Sequence, residues 1–389
     1  MPPTTTPPHT ASRRSADPSA VARLEARLPE LVADIETLVT AESPTADRAA
    51  VARCADLVAE LGTRLTGLAP ERLETAGRPQ LRWRFGAGDG VLLLGHLDTV
   101  WPVGSLATHP FGVTDGRLTG PGCFDMKAGL VQLFHALATL DDLDGVTVLV
   151  TSDEETGSAD SRALIEAEAR RTRAVLVLEA AEDGALKTER KGASLYDLAI
   201  TGRAAHAGLE PERGINATTE LARQVLALAA LADPDAGTTV TPTVATAGTT
   251  RNTVPDTALL RIDVRARTAA EQQRVDTALH GLAPTLKGAA LALSGGPDRP
   301  PLPAASSAGL FARAQRLNDA LGLGPLRGAA VGGGSDGNIT AGVGTPTLDG
   351  LGAVGGGAHA DHEHVIVAEL PRRAALLAAL VDELRGRPA

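Results

Sequence analysis

Val91-Leu92-Leu93-Leu94-Gly95-His96-Leu97-Asp98-Thr99 decides how the rest of the chain is read, because a continuous apolar run ends abruptly in a histidine and an acid. Aliphatic residues without alternation are what a strand buried on both faces requires, and such strands belong to parallel sheets covered by helices. In extended chain His96 and Asp98 point to the same side, so the carboxylate can orient the imidazole or bind beside it. Two further runs repeat the theme. Val146 to Val150 leads into Thr151-Ser152-Asp153-Glu154-Glu155-Thr156-Gly157, and Ala174 to Leu178 leads into Glu179. A helical pattern (Leu130, Leu133, Phe134, Leu137, Leu140) separates the first two runs, so strands alternate with helices as in an α/β sheet with parallel connections. Ligands of such sheets sit beyond the carboxyl ends of the strands, where all three runs place acids or a histidine.

Upstream, Leu81 to Phe85 alternates as a strand, and Val21 to Leu61 carries apolar residues at helical spacing, giving two helices broken at Ser43-Pro44. From about Gly192 the texture changes to alternating strands (Ser194 to Thr201, Val240 to Ala247, Ala258 to Arg265, Ala289 to Ser294) with helices at Ala217 to Ala232 and Ala269 to Leu282. Strand, helix, strand, strand, helix, strand is the order of a ferredoxin-like split βαβ unit. Pro297-Asp298-Arg299-Pro300-Pro301 marks its exit, and a helix from Pro371 to Leu384 closes the chain. The expected division is a tail over 1–20, an α/β domain with a mostly parallel central sheet over 21–190 and 302–389, and an inserted α+β domain over 191–301.

A chain of 389 residues outgrows a single core, which agrees with two domains. A net charge of -10 argues against nucleic acid or an anionic membrane as partner, and no stretch approaches the roughly 18 apolar residues of a membrane span. Cys54 and Cys123 are too few for a disulfide framework and read as unpaired thiols, Cys54 in a core with Val51, Val58 and Leu61. The opening MPPTTTPPHTASRRSADPSA lacks the apolar core of a secretory signal and reads as the disordered tail of a cytoplasmic protein. Gly332 to Gly334 and Gly355 to Gly357 lack the Lys and Ser/Thr of a phosphate loop, and read as tight turns carrying site residues.

Asp125, in Gly122-Cys123-Phe124-Asp125-Met126-Lys127, stands just before a helix, and His359 follows a glycine-rich turn near the end of the chain. A single acid or histidine at a strand end is usually a solvated edge residue. Several at successive strand ends, joined by Asp125 and His359, form a set of imidazoles and carboxylates that suits a dinuclear zinc, cobalt or manganese site with a bridging carboxylate. Two such ions about 3.5 to 4 Å apart acidify water and polarise a carbonyl, and of the adjacent glutamates one can bind metal while the other handles a proton. Amide hydrolysis is the chemistry this arrangement favours.

His96-Leu97-Asp98-Thr99-Val100-Trp101-Pro102-Val103-Gly104, then Gly120-Pro121-Gly122-Cys123-Phe124-Asp125-Met126-Lys127-Ala128-Gly129, then Asp153-Glu154-Glu155 resemble the M20 metallopeptidases, in particular the bacterial glutamate carboxypeptidase branch. The likeness runs from about residue 25 to the end. It implies a zinc-peptidase-like catalytic domain with an inserted lid and dimerisation domain. It also implies that His96, Asp125 and Glu179 hold one zinc, and that Glu155, His359 and the shared Asp125 hold the other. Asp98 would orient His96, Glu154 would act as base toward water and acid toward the leaving amine, and the Asp125-Met126 bond would be cis. His206, in Gly202-Arg203-Ala204-Ala205-His206-Ala207-Gly208, would stabilise the oxyanion, in cis or from a partner subunit. Asn252, Arg265 and Arg299 match lid positions near a substrate carboxylate, although Arg265 reads equally as a structural ion-pair residue. Ser335-Asp336-Gly337-Asn338 resembles a loop closing the substrate side, and His362 and His364 read as surface residues.

The expected function is therefore a dinuclear zinc hydrolase, with Co2+ or Mn2+ as other candidate ions, that releases a C-terminal amino acid of glutamate type from a small amide or dipeptide as a homodimer. An N-acyl-amino-acid deacylase or dipeptidase would use the same site, since metal and base act on the amide and only the pocket reads the side chain. A non-catalytic metal-binding dimeric scaffold is the remaining alternative, and it would be expected to lack a ligand or the base, all of which are present here.

Overall fold

The computed structural model describes Asp17 and residues 19–386. The expected tail therefore lies almost wholly outside the described residues, and its last two positions are already helical, in Ser19–Ala26. The chain separates into two compact units, one of residues 1–186, 308–328 and 348–389, the other of residues 187–307 and 329–347. The stretch 329–347, grouped by the sequence reading with the α/β domain, falls in the second unit.

In the first unit a mixed sheet runs in the order Glu71–Thr75, Arg78–Arg84, Val146–Thr151, Val91–His96, Ala174–Val177. Val91–His96 is parallel to both neighbours, whereas Arg78–Arg84 joins antiparallel to Val146–Thr151. Every residue of Val91–His96, Val146–Thr151 and Ala174–Val177 is buried, the physical counterpart of their unbroken apolar runs. Helix Ala128–Leu137 is buried along its whole length and packs against Arg48–Thr66 and Leu370–Arg385. Arg48–Thr66 starts with the Asp47 carboxylate accepting from the Ala50 amide at 2.9 Å and stops at Gly67, whose φ of 75° a side chain would resist. Within it Gly62 makes room for the edge-on pair of Trp83 and Phe134, since a Cβ there would lie 2.5 Å from the Trp83 ring.

Three differences from the sequence reading have local causes. Val21 to Leu61 contains a further break: Ser19–Ala26 and Leu28–Thr40 are separate helices because Pro29, in the first turn of the second, cannot continue the first. A small sheet was not foreseen, formed by Gly355–Gly356, His364–Ile366, Arg117–Thr119 and Gly112–Thr114, whose strands are too short to give a periodic signal. Strand Ala290–Arg299 runs through Pro297 rather than ending before it, because an edge strand with a register shift between Pro297 and Arg299 tolerates a missing donor.

The second unit has the element order strand Gly192–Thr201, helix Ala217–Ala229, strands Thr239–Ala247 and Thr257–Ala266, helix Ala269–His280, strand Ala290–Arg299. Its strands are all antiparallel, in the spatial order Thr239–Ala247, Thr257–Ala266, Gly192–Thr201, Ala290–Arg299. It has its own core, built around Tyr196, Leu198, Leu221, Leu260, Ile262 and Val275.

Close approach of backbone to backbone in the first unit is testable at Gly129, where a Cβ would meet the Leu178 carbonyl at 2.4 Å, one residue before Glu179. Gly129→Ala is expected to lose about 1–3 kcal/mol in denaturant unfolding, because rigid backbone must move. Gly309→Ala, in a helix with open space around the added methyl, should be neutral or stabilising.

Candidate metal centre

The three parallel strands of the first unit deliver their chemistry at one end of the sheet. His96 is the last residue of its strand and pairs with Thr151, after which the chain makes the turn Glu154–Thr156. Leu94 pairs with Val177, so Glu179 emerges at the same level two residues later. Asp125 comes from the turn Cys123–Lys127, with φ -114° and ψ 95° and a cis bond to Met126.

The resulting geometry has Asp125 at its centre. His96 Nε2 lies 3.4 Å from Asp125 Oδ1 and 3.6 Å from Glu179 Oε1. On the other side His359 Nε2 lies 3.4 Å from Asp125 Oδ2 and 3.2 Å from Glu155 Oε2. Two triads thus share one carboxylate, each with its ligand atoms within 4.8 Å of one another. Four of the five residues are largely buried, and only His359 is about half exposed.

Electrostatics follow from this crowding. Burial opposes a charge on His96, but the carboxylates of Asp125, Asp98 and Glu179 raise its pKa well above the ordinary imidazole value. Asp125 and then Glu155 raise His359 to about 10. Burial pushes Asp125 up, but the two imidazoles outweigh it and hold the carboxyl below its usual range. Burial keeps Glu155 above its usual value despite His359. The field of the cluster therefore attracts positive charge. His96 Nε2, Asp125 Oδ1 and Glu155 Oε1 are buried without a hydrogen-bond partner, an arrangement that costs about 1–3 kcal/mol per group unless something binds there. Borderline nitrogen with hard oxygen donors, shared through one carboxylate, fits a pair of divalent cations.

Around the triads the structure adds detail that spacing alone did not contain. Asp98 is fully buried, and its backbone oxygen meets His96 Nδ1 at 3.0 Å, closer than its carboxylate at 3.5 Å. The Asp98 carboxylate instead accepts from the Glu154 and Glu155 amides at 3.3 Å each and from Thr45 Oγ1 at 2.7 Å. It thereby ties the first strand end to the second. Asp153 is buried and accepts from the amides of Asp160 and Ser161, so it supports the loop beyond the turn. Glu154 is also buried, beside Glu155 in the same turn.

Sequence reasoning missed Glu363. Its carboxylate is completely buried and accepts four donors: the amides of Phe124 and Asp125 at 2.9 and 3.0 Å, that of Gly122 at 3.0 Å, and Trp101 Nε1 at 2.7 Å. Burial raises its pKa while these donors oppose the rise. Trp101 in turn stacks on His109, with ring centroids 5.2 Å apart. No periodic signal marked it, because Glu363 stands just before a strand of only three residues, His364–Ile366. Of its neighbours, His362 is exposed and His364 half-buried, its Nδ1 facing the His362 carbonyl.

The remaining sequence-derived residues lie in the second unit. His206 is exposed on the short strand Ala205–His206, which pairs with Thr253–Val254, and its Nδ1 accepts from the amides of Gly208 and Leu209. Asn252 is its neighbour, receiving the Ala207 amide on its carbonyl at 2.9 Å. Arg265 forms a two-pronged ion pair with Asp263 at 2.9 and 2.8 Å, the structural alternative read from the sequence. Arg299 is buried with Nη2 3.9 Å from Asp336 Oδ1, beside a helix whose first residues are held by a Ser335–Asn338 capping box.

A fold and site of this kind define a metal-dependent hydrolase of amide bonds. The chain belongs to peptidase family M20/M25/M40, which it matches over residues 92–383, and it is accordingly a metallopeptidase or amidohydrolase. It is 32% identical over 388 residues to carboxypeptidase G2 of Pseudomonas sp. (strain RS-16), covering 92% of this chain and 89% of that one. Its fold is similar to aminopeptidase PepT from Bacillus cereus, with TM-score 0.72, 23% identity and 94% and 98% of the two chains covered. It is likewise similar to the M20 family metallo-carboxypeptidase Sso-CP2 from Sulfolobus solfataricus, with TM-score 0.71, 16% identity and 92% and 99% covered.

Two outcomes follow from this geometry. Glu363→Gln removes the charge that grips the Asp125 turn and should weaken divalent-metal affinity about 10- to 100-fold in chelator competition, with the fold retained by circular dichroism. In chelated protein the raised His359 contributes stability that is complete below its unfolded value of 6.5 and is lost as pH rises through about 10. The melting temperature of the chelated form should therefore fall over that window relative to the metal-loaded form, in which a cation rather than a proton balances the carboxylates. Parallel pH profiles for the two forms would overturn this account.

Proposed function

We propose that this chain is a dinuclear zinc carboxypeptidase that cleaves the amide bond of a small C-terminal amino acid conjugate, glutamate-like in type. The observation that carries the reading is the pair of triads sharing Asp125, with the buried Glu154 adjoining Glu155 in one turn. The likeness to carboxypeptidase G2 supports release of a C-terminal residue.

His96, Asp125 and Glu179 would hold one ion and Asp125, Glu155 and His359 the other; bound there, the ions supply Lewis acidity toward a carbonyl and make water acidic. The work of the chain's own residues can then be assigned. Glu154 takes the proton of the attacking water on its carboxylate and delivers it to the departing amide nitrogen, so that one group serves as base and then as acid. Asp98 orients His96 through its carbonyl and keeps Glu154 and Glu155 in place through its carboxylate. His206 is assigned to the developing oxyanion, which suits an imidazole whose Nδ1 already accepts two amides and whose Nε2 is the remaining donor. Asn252 and Arg299 are assigned to the substrate carboxylate; Arg265, already held by Asp263, serves that pair instead.

The second unit, with its strand–helix–strand–strand–helix–strand order, is proposed as a ferredoxin-like lid through which a cytoplasmic homodimer forms. No helix among the described residues is long and apolar enough to cross a membrane.

The test is a panel of N-acyl amino acids, dipeptides and a folyl-glutamate conjugate, incubated with zinc-reconstituted and chelated protein, with released amine and acid identified. Metal-dependent release of glutamate is expected. Release of acetate or another simple acid from N-acyl amino acids alone would favour a deacylase, and no hydrolysis of anything would leave a metal-binding scaffold. Glu154→Gln should abolish turnover, by about 100-fold or more, with metal content unchanged. Undiminished turnover in that variant would remove Glu154 from the mechanism.

A further inference from the structure

Away from the metal centre, the first unit contains a cavity of about 390 Å³ between the start of helix Leu370–Arg385, the end of helix Ala304–Ala320 with the loop that follows it, and the turn at Asp183-Gly184. Its charge is the reverse of the chain's. Three guanidinium groups, from Arg327, Arg372 and Arg373, line it against the two acids Asp183 and Glu369, in a protein of net charge -10. The three are anchored mainly through backbone oxygens, which hold them in place without neutralising them. Arg327 Nη2 donates to the Asp183 carbonyl at 2.9 Å, Arg372 Nη2 to the Leu323 carbonyl at 2.7 Å, and Arg373 Nη2 to the Gly184 carbonyl. Glu369 faces Arg372 Nε at 3.4 Å, an ion pair between two partly exposed side chains.

Two further features make this an anion site rather than a solvated arginine cluster. Arg373 is 94% buried on the complement of its 6% exposure, and its Nη1 has no hydrogen-bond partner among the described residues. Burial and the neighbouring Arg372 lower its pKa to about 10 against the opposing pull of Glu369, so its environment is short of negative charge. In addition, Arg372 and Arg373 occupy the first turn of a 16-residue helix, where the dipole is positive, cations are unfavourable and no acidic residue stands within the turn. Glu369 at the N-cap makes no side-chain cap, although the Leu370 amide donates to the Val367 carbonyl and Pro371 has no N–H.

We propose that this cavity binds a small phosphomonoester, its phosphate held by Arg373, Arg372 and Arg327 at the helix start and its organic part lying on Leu326 and Leu376. A phosphate offers three strong acceptor oxygens to three guanidinium groups, where a single carboxylate offers two. The cavity is far larger than the roughly 30 Å³ share of one water, so a bare ion would leave the apolar part of the wall unused. This inference does not rest on the proposed peptidase substrate, because none of the residues it uses is a candidate metal ligand.

The experiment is calorimetric titration of the full-length protein with glycerol 3-phosphate, inorganic phosphate and glutarate, each in metal-loaded and in chelated protein so that phosphate taken up by metal is separated from phosphate taken up here. Saturable binding of glycerol 3-phosphate to the chelated protein is expected, tighter than inorganic phosphate and tighter than glutarate. Arg373→Gln should weaken it about tenfold or more, the loss of a charge-assisted bond to a buried anion. Arg327→Glu alters an exposed side chain, and should weaken it at least as much. Absence of saturable binding in the chelated protein would overturn the proposal, as would equal affinity in Arg327→Glu or glutarate binding as tightly as the phosphates.

Discussion

A buried carboxylate with four donors, Glu363, is the interaction on which the metal centre depends. The turn that presents Asp125 is closed by the Lys127 amide on the Gly122 carbonyl and the Ala128 amide on the Cys123 carbonyl, while its φ and ψ depart from helix at Asp125 and Met126. Three consecutive-region amides, of Gly122, Phe124 and Asp125, would be orphaned inside the protein without an acceptor. One anion satisfies all three and takes the Trp101 indole besides. Because Glu363 lies four residues beyond His359, the same hairpin that brings the acceptor also brings an imidazole to the far side of Asp125. Pairing of His364–Ile366 with Arg117–Thr119 sets the register of that meeting.

The second constraint is the concentration of carboxylates at the end of a parallel sheet. Charged groups are expensive to bury, and here Asp98, Asp153, Glu179 and Glu363 are all buried. For Asp98, Asp153 and Glu363 the cost is offset by backbone amides at the ends of strands and turns, where the chain has donors that no ladder uses. Asp98 illustrates the economy, joining the first strand end to the amides of Glu154 and Glu155 while its own carbonyl fixes the imidazole of His96. In the Asp125 triads the buried atoms without partners, His96 Nε2, Asp125 Oδ1 and Glu155 Oε1, converge from two groups that share one carboxylate, which is what a pair of cations requires.

Much of this was legible from residue pattern. Unbroken apolar runs at Val91, Val146 and Ala174 implied doubly buried parallel strands, and such strands have only one end at which a ligand site is built. The acids and histidine terminating those runs were therefore readable as neighbours without any knowledge of tertiary contacts. His359 was readable only through its glycine-rich turn and its resemblance to a family pattern. Pro29, by contrast, was passed over as a helix break, and the short strands at Arg117–Thr119 and His364–Ile366 left no period to detect.

The sequence by itself determined which strands are central, where each stops and which chemical groups stand at the stops, because burial on two faces and the period of a strand are properties of consecutive residues. Tertiary structure alone decided that the Asp98 carbonyl comes closer to His96 than its carboxylate does, while the carboxylate also takes the amides of Glu154 and Glu155. It also decided that Glu363, 238 residues away from Asp125, is the anchor of its turn. The physical reason is that desolvation and hydrogen-bond geometry act between groups brought together by packing, and a carboxylate acquires its role only from the donors that the fold closes around it.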